Sequence, residues 1–219
     1  MEKIIIVDFG SQYTQLIARK VRELNVYSEI HPFDNLPKID GQVKGIILSG
    51  SPFSTLDQDA PHINIRQYSK NLPVIGICYG AQLMILEDQG KVEKSHIREY
   101  GRARLIKTAH RSSLLEKVSN SQIWMSHSDT ILDMPEGYEI IGKTEDIPVA
   151  AFQDNQKNWF GLQFHPEVYH TTEGIKMLEN FLVGTCGCKQ NWTPELFAET
   201  TIERLKAQIG NDKVVMGLS

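Results

Sequence analysis

Cysteine is scarce in this sequence. Three thiols, Cys78, Cys186 and Cys188, cannot build the disulfide framework of a small secreted domain. Long hydrophobic runs are missing as well, and none approaches the roughly 18 apolar residues that a membrane-spanning helix needs. Lys and Arg are never clustered and the formal net charge is −4, so a nucleic-acid footprint is lacking. Internal repeats and low-complexity tracts are absent too. Met1-Glu2-Lys3 passes directly into an apolar, β-branched stretch, with none of the features of a signal peptide. These absences predict a cytoplasmic protein with reduced thiols and no nucleic-acid or membrane partner. What is present is ordinary for a globular chain: 41% hydrophobic and 23% charged residues in a length of 219, enough for one α/β core with little left over.

The apolar pattern alternates between two periods. Lys3 to Val7 reads as a buried parallel strand, and Gln12 to Leu24 carries Leu16, Ile17, Val21 and Leu24 at helical spacing. Val26 to His31, Gly45 to Leu48 and Pro73 to Ile77 read as further strands. Strands alternating with helices predict an open, mostly parallel, doubly wound sheet of the flavodoxin-like or Rossmann-like kind. From Lys91 to Phe164 the texture changes. Short alternating runs at Ala103 to Ile106, Gln122 to Met125, Tyr138 to Gly142 and Val149 to Gln153 predict an additional small mixed or antiparallel sheet. Thr172 to Leu182 reads as a closing helix.

The most informative segment is Gly76-Ile77-Cys78-Tyr79-Gly80, between the strand ending at Ile77 and a helix through Ala81-Gln82-Leu83-Met84-Ile85-Leu86. A nucleophile flanked by glycines at a strand-to-helix turn is the elbow pattern, here with Cys as nucleophile. A side chain at either glycine would crowd the tight turn. The helix N-terminus favours a thiolate, and the Tyr79 N–H can point at a developing oxyanion. A thiol also needs a base, and the base needs a third group to orient it. His165-Pro166-Glu167 supplies both residue types just past a strand read at Trp159 to Phe164. A metal reading of His165, Glu167 and His170 fails on spacing and on Pro166, which blocks a helix. Cys186 and Cys188 lack the further ligands of a zinc site and read as free structural thiols.

Together these residues resemble the class I glutamine amidotransferases and, within them, the glutaminase domains of GMP synthetases. The resemblance rests on the elbow extended through Ala81-Gln82, on His165-Pro166-Glu167-Val168-Tyr169-His170-Thr171, and on three further blocks in order. These are Val7-Asp8-Phe9-Gly10-Ser11-Gln12-Tyr13, Ile47-Leu48-Ser49-Gly50-Ser51-Pro52 and Met125-Ser126-His127-Ser128-Asp129. It implies hydrolysis of the L-glutamine side-chain amide through a Cys78 thioester, with His165 as base and Glu167 as its orienting carboxylate. It assigns the second oxyanion donor to the backbone at Ser51 in the Gly50 turn, and it places Gln82, the backbone near Ser128 and Asp129 on the bound glutamine. Relatives commonly have Gly where Ser51 and Ser128 stand. His127 is read as supporting its loop.

The resemblance also bears on the tail. It divides the chain into an amidotransferase domain over 1–188 and, over 189–219, a linker helix with the first strand of an ATP-pyrophosphatase domain. Thr193-Pro194 opens a helix reaching about Ile209, and Lys213 to Ser219 reads as the strand. The phosphate loop that would follow is absent, so the chain reads as a fragment of a longer one. The expectation is no cofactor in this chain, with ATP and Mg needed only by the synthetase domain. Ammonia would pass to that domain for amination of XMP to GMP, in an enzyme with room for a homodimer. The competing readings are the glutaminase component of anthranilate or aminodeoxychorismate synthase, and a regulatory module that binds glutamine without hydrolysing it.

Overall fold

The computed structural model describes residues 1–109, 111–215 and 217, with the side chains of residues 96–99 outside that description. Strand β1 (Lys3–Asp8) lies between β2 (Ser28–Pro32) and β3 (Val43–Leu48), followed by β4 (Val74–Ile77) and β10 (Trp159–Leu162). These strands pair in parallel. Beyond β10 the sheet turns antiparallel through β9 (Ala151–Asp154), β8 (Glu139–Lys143) and β6 (Ile106–Lys107), closing an eight-stranded sheet. Two buried layers flank it. One holds Ile4, Ile6, Ile17, Val21, Ile75, Phe160 and Phe181, and the other Ile5, Val7, Ile46, Leu48, Val74, Met84 and Trp159. Alternate residues of β1 and β3 feed opposite layers, as the two-residue period of a strand requires. The expected open, mostly parallel doubly wound sheet is therefore present.

Helix α1 (Thr14–Glu23) buries Thr14, Ile17, Ala18 and Val21, one stripe at helical spacing. A short α2 (Ile65–Ser69), not read in the sequence, starts at Asn64, whose side chain accepts from the Gln67 N–H. Helix α3 (Tyr79–Glu87) buries nearly all of its surface against the sheet. Helix α4 (Gly174–Glu179) passes into a π-helical stretch, Asn180–Thr185, where the sequence reads one continuous helix. The Cys186 N–H closes that wider turn on the Phe181 carbonyl. Cys186 and Cys188 are buried and unbridged, as read.

The additional sheet is a ribbon of two long strands, β5 (Lys91–Arg104) and β7 (Gln122–Asp133). This corrects the expectation: the runs at Tyr138 to Gly142 and Val149 to Gln153 form β8 and β9 of the main sheet rather than part of the additional one, and two further boundaries move. Ala103 to Ile106 is not one strand: the chain leaves the ribbon at Arg104 and enters the main sheet at Ile106. Between them Leu105 is wholly buried and its N–H donates to the Ser121 carbonyl. Gln122 to Met125 is only the start of β7, which continues through His127 and Asp129 to Asp133. Helix α5 (Pro194–Ile209) forms as read, with the Thr193 hydroxyl accepting from the Leu196 N–H. Residues 213–215 carry no regular structure, contrary to the expected strand, while Met216, Leu218 and Ser219 lie outside the described residues. With no neighbouring strand among the described residues for them to pair with, their β-branched composition has nothing to act on.

The start of α3 is packed directly against backbone. A Cβ on Gly80 would lie 2.6 Å from both the Cβ and the carbonyl oxygen of Leu48 in β3, and one on Gly76 would lie 2.5 Å from the Ala81 nitrogen. Gly80→Ala is therefore expected to cost about 1–3 kcal/mol, the usual range for overpacking a rigid contact. Equilibrium urea unfolding measures it, and an unchanged midpoint would contradict the packing described.

Candidate active site

The elbow is built as its residues require. Cys78 sits between β4 and α3 with φ +52° and ψ −104°, a region that side chains other than Gly rarely adopt. Two backbone bonds hold it there: the Cys78 N–H donates to the Leu162 carbonyl at 2.7 Å, and the Gly80 N–H to the Ser49 carbonyl at 3.1 Å. The first is a last rung between β4 and β10; the second ties α3 to the end of β3. Tyr79 opens the helix, so its N–H has no partner within the helix.

Because β4 and β10 are adjacent and parallel, residues just beyond their carboxyl ends meet in one crevice. His165 follows β10 there. Its N–H donates to the Trp124 carbonyl at 3.0 Å, and its carbonyl accepts from the Thr171 hydroxyl, which itself accepts from the Trp124 N–H. The His-Pro-Glu turn is thus stitched to β7. Gly174 allows α4 to start directly against the Pro166 carbonyl, where a Cβ could not fit.

His165 Nδ1 lies 2.7 Å from Glu167 Oε1, with both residues buried. The other Glu167 oxygen has no protein donor among the described residues, so the carboxylate depends on the imidazole. Burial opposes charging of His165. The Glu167 carboxylate and the hydrogen-bonded Cys78 sulfur outweigh it and raise the imidazole well above its ordinary range. The Tyr13 ring meets the His165 ring edge-on, centroids 5.2 Å apart. Cys78 Sγ is 3.6 Å from the Ser126 carbonyl oxygen and 3.9 Å from Gln163 Nε2.

A cleft of about 330 Å³ opens above the sulfur. Its walls include Cys78, Tyr79, Gln82, Ser51, His165, Ser128 and Asp129. Gly50 lies at its edge, where a Cβ would come within 3.5 Å of His165 Cε1, and Glu167 stands behind His165. The structure thus gathers every site residue proposed from the sequence around one cavity. Gln82 is buried, and its amide NH₂ donates to the Asp129 carbonyl at 2.9 Å and to Gln163 Oε1 at 3.3 Å. That leaves its carbonyl oxygen for a ligand. Ser51 uses its hydroxyl to donate to the Phe9 carbonyl at 2.9 Å, pinning the turn after β3 to the loop after β1. Buried His127 is pulled down to about 4 by desolvation and is neutral near pH 7, with Nδ1 2.9 Å from the Asp129 carbonyl oxygen.

Asp129 is a buried carboxylate whose partners among the described residues are the hydroxyls of Ser54 and, at 3.4 Å, Ser128. No cation pairs with it among those residues. A buried carboxylate without a counter-ion beside an open cleft is chemically suited to an ammonium ligand. The sequence reading missed Tyr13, Gln163, Ser54 and Thr171. Tyr13 and Thr171 stand in the segments that carry the family resemblance, where their residue types alone suggest no role. Gln163 was hidden in a strand-like run, and Ser54 in a turn that carries no periodic signal. Among the described residues, no group of three His, Cys, Asp or Glu side chains could hold a metal ion, and no helix is long and apolar enough to cross a membrane.

The model of the class I glutamine amidotransferase family matches residues 5–185. The whole chain is 57% identical to a protein of Cytophaga hutchinsonii named GMP synthase [glutamine-hydrolyzing], covering 43% of that relative. It is 51% identical to GMP synthase [glutamine-hydrolyzing] 1 of Bacteroides thetaiotaomicron, again covering all of this chain and 43% of the relative. The chain therefore spans less than half the length of these relatives. Among solved structures, a candidate GMP synthase component from Thermoplasma acidophilum matches with a TM-score of 0.71 and 27% identity, over 93% of this chain and 98% of that one. A glutamine amidotransferase from Thermotoga maritima, at 18% identity, shares the fold with a TM-score of 0.61 over 95% and 94% of the two chains. With the elbow, the His-Glu pair and the sheet that brings them together, these matches establish that the chain belongs to the class I glutamine amidotransferases.

Proposed function

We propose that this chain hydrolyses the side-chain amide of L-glutamine to glutamate and ammonia, and that the ammonia serves amination of XMP to GMP by a synthetase domain. The observation that carries the first part is Cys78, His165 and Glu167 in series beside a buried carboxylate that meets no cation among the described residues. Sulfur attacks the amide carbon, and His165 passes a proton to the departing nitrogen as the C–N bond breaks and a thioester forms. Water, deprotonated by His165, then attacks the thioester; glutamate leaves and the thiol is restored. The Tyr79 and Ser51 backbone N–H groups are the candidates for the oxyanion formed in each half. Asp129 takes the α-ammonium, the backbone near Ser128 the α-carboxylate, and the Gln82 carbonyl a substrate N–H.

The second part rests on the relatives, of which the chain covers 43% in length. We assign residues 1–188 to the amidotransferase domain and 189–219 to the connection with the synthetase domain. ATP and Mg are needed there and not here. We place the reaction in the cytoplasm.

Three outcomes test this reading. Cys78→Ser abolishes glutamine-dependent ammonia release, by about a thousandfold or more, in a glutamate-coupled assay. Glu167→Gln is roughly two orders of magnitude milder in kcat. It also changes the pH profile. The imidazolium exists below its raised pKa and is lost as pH rises through it. Without the Glu167 charge that loss moves down toward the ordinary histidine value of about 6.5, so the alkaline limb of kcat/KM shifts to lower pH. An unshifted limb would remove Glu167 from its orienting role. Finally, glutamate release by this chain alone is slow and rises when the synthetase domain of a full-length relative is added with its nucleotides; equal rates would contradict the coupling.

A further inference from the structure

Ser54 belongs to the turn that follows β3, and nothing in its own stretch of sequence marks it. Its surroundings do. The Ser54 hydroxyl donates to Asp129 Oδ2, on a strand 75 residues away in sequence. The same oxygen accepts from the Leu56 N–H at 3.1 Å, so the hydroxyl proton is directed at the carboxylate. Asp57 locks the turn from the other side: its Oδ2 accepts from the Ser54 N–H at 3.0 Å and its own N–H donates to the Ser54 carbonyl at 3.1 Å. The turn is therefore a self-braced unit with one strong polar attachment to β7.

The same turn begins at Ser51, whose hydroxyl accepts from the Phe53 N–H at 3.2 Å while donating to the Phe9 carbonyl. Ser51, Pro52 and Phe53 line the cleft, and Phe53 is 48% exposed at its mouth. Two hydroxyls thus hold the turn from both ends, one on the β1 loop and the other on the carboxylate at the ammonium position. Ser128 is the only other donor to the Asp129 carboxylate among the described residues, at 3.4 Å and from the neighbouring residue. It cannot fix the carboxylate relative to the opposite wall of the cleft.

We propose that Ser54 is a positioning residue for glutamine: its hydroxyl aims the Asp129 carboxylate at the substrate amine and ties that carboxylate to the turn after β3. This rests on the glutaminase reading above and assigns the contact that fixes its amine-recognition point against the opposite wall of the cleft. Ser54 touches no reacting atom. It acts through Asp129, so its loss is felt first in substrate binding.

Steady-state glutamine hydrolysis by the full chain tests this, with wild type, Ser54→Ala, Ser54→Thr, Asp129→Asn and the Ser54→Ala/Asp129→Asn double variant. The expected result is a KM about tenfold higher in Ser54→Ala with kcat within about threefold, because a lost hydrogen bond to a charged group weakens binding by about that factor or more. Ser54→Thr, which keeps the hydroxyl, restores KM. In the Asp129→Asn background, Ser54→Ala adds less than about threefold, since two changes along one connection are not additive. An unchanged KM in Ser54→Ala, a Thr variant no better than Ala, or fully additive effects would each overturn the proposal. Failure of the glutaminase reading itself has a different signature: the wild-type chain releases no ammonia from glutamine, even with the synthetase domain added.

Discussion

Everything at the carboxyl edge of the sheet depends on one close approach, that of α3 to β3 and β4. Gly76 and Gly80 leave so little space that a methyl group at either would press on backbone. Cys78 is held at φ +52° by the hydrogen bonds on either side of it. Such a conformation costs on the order of 1–3 kcal/mol, and the surrounding structure has to over-determine it. What it gives is direction. The sulfur projects from the turn toward His165, and the first N–H of α3 has no carbonyl to satisfy within the helix. Relaxing the approach would swing the nucleophile and its oxyanion donor away together.

Around that elbow, placement follows from strand order. The loops after β1, β3, β4 and β10 emerge at the same edge of neighbouring parallel strands, and β7 of the ribbon crosses above them. His165 and Glu167 are buried together, an arrangement better explained by chemistry than by stability, since desolvating an ion pair often offsets its attraction. The charge-free His127 and Asp129, which meets no cation among the described residues, line the cavity together. A second network shows the contrast. Far from the cleft, Asp88 is satisfied by Lys157, Arg66 and the Tyr138 hydroxyl, and it binds α3 to the far end of the sheet.

Much of this was legible in the sequence, and for identifiable reasons. The elbow is local: two glycines, a nucleophile and the adjoining strand and helix lie within one short window. The central parallel strands β1, β3 and β4 announce themselves because they are buried on both faces and so are nearly continuously apolar, whereas edge strand β2 is polar and half buried. The triad partners were legible as residue types past a strand end, and their convergence followed from the predicted topology. The ribbon was legible only in pieces. Its strands are half exposed and alternate irregularly, and β7 carries His127, Ser128 and Asp129 in a stretch that looks like a polar loop. The passage of α4 into a π-helical turn leaves no periodic trace within a few residues. Ser54 was illegible because its partner is supplied by a distant strand and its own turn is built from side chain-to-backbone bonds. The exposed residues 213–215 read as a strand because β-branched composition says nothing of whether a neighbour is there to pair with.

The central claim is that the Cys78 sulfur is a nucleophile in a pocket shaped for glutamine. Intact-mass analysis after exposure to an electrophilic glutamine analogue, with and without excess L-glutamine, tests it without requiring fast turnover. The account predicts a single adduct at Cys78, suppressed by glutamine and absent from Cys78→Ser, with buried Cys186 and Cys188 unmodified. Labelling that glutamine does not slow, or labelling spread over all the thiols in a folded chain, would contradict it.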